Sequence, residues 1–130
     1  MGGNLLFPIW SLPPKRIPRK EFDRISVEII DALKNALPEH KVEPLKFFSE
    51  KSDFGDLDVA VESKSGVSID WVKKFKEIFP HLRDYPPHKN GNCVSFPYDG
   101  FQVDILLFGS EVWECALNYY AYENGNFLGR

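Results

Sequence analysis

The run Phe101-Gln102-Val103-Asp104-Ile105-Leu106-Leu107 limits the fold more than any other stretch of this chain. It is an almost unbroken apolar segment of strand length, and such strands are buried within sheets. A sheet must therefore form, with further layers to cover it. One carboxylate, Asp104, sits inside the run, and the run holds no lysine or arginine to pair with it. A buried ionised carboxylate is costly without a partner, so Asp104 calls for a functional explanation.

The residues just before the run fix its neighbour. Cys93 to Pro97 is a second short, largely apolar run, joined to Phe101–Phe108 through Tyr98-Asp99-Gly100. Asp-Gly between two such runs is a strong hairpin signal.

A second acid-bearing strand lies upstream. Phe54-Gly55-Asp56-Leu57-Asp58-Val59-Ala60 leads into Val61, and the spacing predicts a strand over about 56–62. Residues i and i+2 of a strand share a face, so Asp56 and Asp58 project side by side while Leu57 and Val59 face the other way. Aspartate is depleted in strands and paired carboxylates repel, which points to a divalent cation. If Asp104 lies on a neighbouring strand, the three acids share one face of the sheet. A hard cation such as Mg²⁺ or Mn²⁺ relieves their repulsion and leaves positions for water and phosphate oxygens. That donor set suits phosphoryl or nucleotidyl transfer. An Asp-x-Asp pair alone also reads as a solvated strand entry; the third acid inside an apolar strand favours the cation.

Helical spacing accounts for most of the remainder. Phe22, Ile25, Ile29, Leu33 and Leu37 predict an amphipathic helix over about 19–37, with Pro18 in its first turn and Pro38 stopping it. Val42 to Ser49 reads as extended, Glu50 to Gly55 as a polar loop, and Ser63 to Gly66 as a turn. Trp71, Val72, Phe75, Ile78 and Phe79 mark a second helix with Ser68 as its cap. Pro80, Pro86 and Pro87 punctuate a loop that runs through Gly91, and Ser110 caps a last helix over about 110–124. The expected fold is α/β (α+β): a mixed sheet with helices packed mainly on one face, in a single domain over 19–130. Residues 1–18 form a proline-rich arm in which Pro8, Pro13, Pro14 and Pro18 block regular helix. Leu5, Leu6, Phe7, Ile9 and Trp10 make it too apolar for a free tail, so it lies on the domain or on a partner. Phe127 and Leu128 imply either docking of the C-terminus onto the core or a longer protein.

Bulk properties fit this picture. The chain has 130 residues, 43% of them hydrophobic and 27% charged, which suits one folded domain rather than a disordered segment. A net charge of −3 does not mark a nucleic-acid binder, although Lys15, Arg16, Arg19 and Lys20 form a basic cluster. That cluster reads either as a solvated helix entry or as a phosphate contact. Cys93 and Cys115 have no CxxC spacing and read as free thiols of a reducing cytoplasm. No apolar run approaches the roughly 20 residues of a membrane helix, and no signal peptide is visible. His40, His81 and His88 lack zinc-ligand spacing with cysteine, and no G-x-S-x-G occurs. Trp71, Trp113, Tyr119, Tyr120 and Tyr122 are candidates for base stacking, with core packing the stronger reading for Trp71.

Gly55-Asp56-Leu57-Asp58-Val59, followed by Val103-Asp104-Ile105, resembles the nucleotidyltransferase superfamily of the DNA polymerase β type, its small phage and bacterial members above all. The resemblance covers about 42–108. It implies a minimal nucleotidyltransferase-like domain that transfers a nucleoside monophosphate from an NTP such as ATP to an acceptor hydroxyl, with pyrophosphate leaving. Asp56 and Asp58 would bind Mg²⁺ (or Mn²⁺) and the triphosphate. Asp104 would bind the catalytic metal and help activate the hydroxyl. The family's glycine-serine turn is altered here: Phe48 stands in the glycine's place and Ser49 in the serine's. Lys51, Ser52 and Gly55 are the residues that could take over nucleotide binding. Larger members carry a helical domain after the sheet, for which this chain has little room. The acceptor would be a nucleic acid, a protein or a small molecule. The alternative is a catalytically inactive nucleotidyltransferase-like domain that serves as a binding or assembly module.

Overall fold

The computed structural model describes residues 5–45, 53–64 and 68–121. In chain order, α1 is Leu6–Trp10, β1 Ile17–Pro18, α2 Arg19–Ala36, β2 Val42–Pro44, β3 Asp53–Phe54 and β4 Asp56–Ser63. Then come α3 at Trp71–Ile78, β5 at His88–Asn90, β6 at Cys93–Tyr98, β7 at Phe101–Gly109 and α4 at Trp113–Ala121. Short 3-10 turns follow α3 and precede α4. Five strands form one mixed sheet in the order β2-β4-β7-β6-β5. The central strands β4 and β7 are parallel, and the other pairs are antiparallel. The fold is α+β, a mixed sheet with α2 and α3 packed on one face and α4 on the other.

Strand alternation divides the side chains between the two faces. Leu57, Val59 and Val61 of β4 and Val103, Ile105 and Leu107 of β7 join one core with the buried stripe of α2 and with Trp71 and Phe75 of α3. Each fully buried large side chain there contributes about 1.5–3 kcal/mol relative to exposure. On the opposite face, Ala60, Leu106 and Phe108 pack under Trp113 of α4, a smaller cluster at one end of the sheet. The other end of that face carries Asp56, Asp58, Gln102, Asp104 and Ser95, the residues whose register sets them there.

Several local features differ from expectation for identifiable reasons. The arm is not wholly irregular, because Leu6–Trp10 is helical. Pro8 sits in its first turn, where a missing N–H has no intrahelical acceptor to lose. Leu6 is fully buried and Trp10 donates its indole N–H to the Pro86 carbonyl at 2.7 Å, so the arm packs on the domain. Ile17 and Pro18 pair with Asp53 and Phe54, which makes the end of the expected polar loop a strand with Phe54 buried. Pro18 is the N-cap of α2 rather than its first turn. Asp70, not Ser68, caps α3, accepting from the Lys73 N–H at 3.2 Å. Ser110 does not cap α4; its hydroxyl donates to buried Glu62 at 2.8 Å, and a 3-10 turn intervenes. This bond, with a second from the Lys41 N–H, holds the Glu62 carboxyl below its usual range. The strand β5 was expected as loop. Trp71 and Trp113 are both buried in cores, so neither offers a stacking face. Cys93 and Cys115 are free thiols. The turn at 65–66, the extended stretch 46–49, Tyr122, Phe127 and Leu128 lie outside the described residues, as do the side chains of Tyr119 and Tyr120.

The Asp-Gly hairpin forms as the sequence requires. Asp99 and Gly100 take φ of 54° and 74° between paired Tyr98 and Phe101. Positive φ at both loop positions is the type I′ arrangement that matches strand twist. Arg24 of α2 holds the Asp99 carboxylate at 3.1 Å, and the Tyr98 hydroxyl donates to Glu28 at 2.7 Å. A Cβ at Gly100 would meet nothing closer than the Lys15 side chain at 3.8 Å, so a substitution there is penalised by backbone conformation alone. Gly100→Ala is expected to lower the unfolding free energy by about 1 kcal/mol without altering the slope of the urea curve. An unchanged midpoint would show that the turn does not hold this conformation.

Candidate metal centre

The acids meet because two parallel strands place them together. Asp58 of β4 is the register partner of Asp104 of β7, and Asp56 is the partner of Gln102. Neighbouring strands lie about 4.8 Å apart, so partnered side chains on one face are adjacent. Asp56 adds its carboxylate from two residues earlier on β4, on the same face. One oxygen from each of Asp56, Asp58 and Asp104 lies within 4.8 Å of the others. Asp104 is 3% exposed, so its charge is set within the protein and not by bulk water.

The missing partner of Asp104 turns out to be neutral. Ser95 of β6 donates its hydroxyl to Asp104 Oδ1 at 2.7 Å, and Gln102 donates from Nε2 to the same oxygen at 2.9 Å. Both donors are buried, so bulk water does not compete for these bonds. Gln102 is held in turn by the arm, since the Leu5 N–H donates to its Oε1 at 2.9 Å. Cys93 stands next to Ser95, with Sγ 3.7 Å from Oγ; burial pushes its thiol pKa up. A cavity of about 260 Å³ opens beside Asp104, lined also by Leu5, His88, Asn90, Cys93, Ser95 and Gln102.

Asp56 carries the electrostatic strain of the cluster. Its carboxyl is pushed up to about 8, first by burial, then by the charge of Asp58, then by a hydrogen bond to Asp104 and that residue's charge. Burial and the neighbouring acids therefore favour the protonated form of this carboxyl. Three carboxylates offer a hard, all-oxygen donor set, which suits Mg²⁺ or Mn²⁺ far better than a thiophilic metal. The residues present fit such an ion, and the raised Asp56 pKa is what a group of acids shows without a counter-cation.

The sequence singled out Asp56, Asp58 and Asp104, and the structure brings all three together. Gly55 is buried at the bend immediately ahead of Asp56. Ser49, Lys51 and Ser52, the other nucleotide-binding candidates, lie outside the described residues. Of the basic cluster, Lys15 donates to the Asp99 carbonyl at 2.7 Å, and the Arg19 guanidinium lies 5.3 Å from the centre of the Phe54 ring and 3.9 Å from Asp23. All three contacts are made within the chain. Ser95 and Gln102 escaped the sequence reading, although a signal existed. A two-residue Asp99-Gly100 turn pairs Tyr98 with Phe101, and counting back along both strands sets Ser95 opposite Asp104. Among known proteins, no family model matches the chain and no curated protein matches it.

The Asp56 shift has a definite consequence for stability. Its folded pKa stands above the ordinary carboxylate value, so the folded state binds more protons than the unfolded one over the interval from about 4 to about 8. The contribution of Asp56 to the stability of the metal-free protein is then full below the unfolded pKa and is lost as pH rises through the folded one, by up to about 1.4 kcal/mol per pH unit. Asp56→Asn removes this loss, and the variant should be more stable than the parent at pH 8 in chelator. Equal pH dependence of the two proteins between pH 5 and 8 would refute the assignment.

Proposed function

We propose that the chain is a metal-dependent nucleotidyltransferase, transferring a nucleoside monophosphate from an NTP to an acceptor hydroxyl with release of pyrophosphate. The observation that carries this reading is the convergence of Asp56, Asp58 and Asp104 on one face of the sheet. Asp56 and Asp58, at the start of β4, would hold Mg²⁺ or Mn²⁺, and the ion would offset the charge of a triphosphate. Asp104, oriented by Ser95 and Gln102, would complete the cation site and take up the proton of the attacking hydroxyl. A bound Mg²⁺ supplies positive charge to offset that on the phosphate oxygens. Gly55 lies beside the acids, and the neighbouring Ser49, Lys51 and Ser52 are the proposed phosphate contacts. The cavity next to Asp104 gives an acceptor room to approach. Among the described residues, no helix is long and apolar enough to cross a membrane. We place the protein in the cytoplasm on its free thiols.

Two measurements test this reading. Millimolar Mg²⁺ or Mn²⁺ is expected to raise the melting temperature of the chelator-treated protein, and a cation present at a hundred times its Kd stabilises by about 2.7 kcal/mol. Asp58→Asn should abolish that shift. Incubation with each NTP and a panel of nucleic-acid, protein and small-molecule acceptors should release pyrophosphate, reduced to background by Asp104→Asn. Cation binding with no turnover on any nucleotide would favour the binding-module alternative. No cation-dependent shift in the parent would remove the basis of the enzyme reading.

A further inference from the structure

Among the described residues, the N-terminal arm is linked to the acidic cluster through the Gln102 side chain. The Leu5 N–H donates to Gln102 Oε1 at 2.9 Å, and the Nε2 of the same amide donates to Asp104 Oδ1 at 2.9 Å. Gln102 is 2% exposed and Asp104 is 3% exposed, so water cannot readily replace either bond. The amide has two ends that are not interchangeable. While its oxygen faces a backbone N–H, its nitrogen must face the carboxylate. The arm thereby fixes which end of Gln102 meets Asp104. Reversal of the amide would aim a carbonyl at a carboxylate and leave the Leu5 N–H facing an NH₂ group. The arm is itself secured at two further points, by the fully buried Leu6 and by the Trp10 indole bond to Pro86. Leu5 also lines the cavity beside Asp104, so the docked arm forms part of its wall.

We infer that docking of the N-terminal arm and cation binding at Asp104 are energetically coupled, with Gln102 as the positioning residue between them. The inference rests on the reading of the three acids as a cation site. A residue that orients a ligating carboxylate through a hydrogen bond usually alters metal affinity by about 10–100-fold when removed. Coupling of binding equilibria is reciprocal, so the cation must also tighten the arm. An arm that lifts away leaves Gln102 Oε1 unpartnered and Asp104 less firmly held, and the cavity loses one wall. A partner or substrate that draws the arm off would thereby weaken the cation site, and one that presses it down would strengthen it.

The test uses the full chain in three variants. Gln102→Met keeps the side-chain volume and removes both bonds; Leu6→Ala loosens the arm without touching the acids; the third variant combines them. Mn²⁺ affinity is read by calorimetry, and arm docking by hydrogen exchange of the 5–12 segment with and without Mg²⁺. The expected results are a loss of about tenfold in Mn²⁺ affinity for each single variant and little further loss in the double variant. Mg²⁺ should slow exchange of the arm in the parent and not in Gln102→Met. Leu6→Ala that speeds exchange of the arm while leaving Mn²⁺ affinity unchanged overturns the coupling alone. So do fully additive losses in the double variant. A parent that binds no Mn²⁺ overturns the cation site itself, and the coupling with it.

Discussion

Two carboxylates on adjacent parallel strands cannot be drawn apart without breaking the sheet that carries them. Asp58 and Asp104 are register partners at the centre of this fold, and Asp56 stands on the same face two residues away. The rest of the molecule can be understood from that constraint. The opposite face of both strands is wholly apolar and packs against α2 and α3, which anchors the register strongly enough to hold like charges together. On the acidic face, Ser95 and Gln102 both donate to Asp104, while burial and the charge of Asp58 push the Asp56 carboxyl up to about 8.

Much of the fold was legible because its signals are local. The spacing of Phe22, Ile25, Ile29 and Leu33 defines α2 almost to the residue, and the Asp99-Gly100 turn specifies its hairpin through positive φ at both positions. The acid cluster was legible for a different reason. A carboxylate in a strand as apolar as β7 is so unfavourable that it implies a compensating group nearby.

The features that escaped depend on competition between alternatives that a sequence presents as equals. Ser68 and Asp70 can each cap a helix, and α3 begins at Trp71 with Asp70 accepting from the Lys73 N–H. Ser110 is a good cap by type, yet buried Glu62 claims its hydroxyl. His88–Asn90 has too little apolar character to read as a strand, and it becomes one by adding to the edge of β6. The α1 helix depends on burial of Leu6 and Trp10, which outweighs the poor helix propensity of a proline-rich segment. In each case tertiary contacts decided what local preference left open.

The hairpin turn between β6 and β7 also limits how this protein can change. Side chains alternate faces along a strand, so a single residue gained or lost in that turn would shift the pairing of Ser95 with Asp104 and bring an apolar neighbour opposite the acid. The two-residue turn has no slack to absorb such a change, and α2 grips it through Arg24. The connection between β4 and α3 is under no comparable restriction, since strand pairing rather than loop length sets the distance between Asp58 and Asp104. Related chains should therefore vary freely in length there while keeping the hairpin at one fixed size, an asymmetry that would identify the acid-bearing sheet even after most of its residues had been replaced.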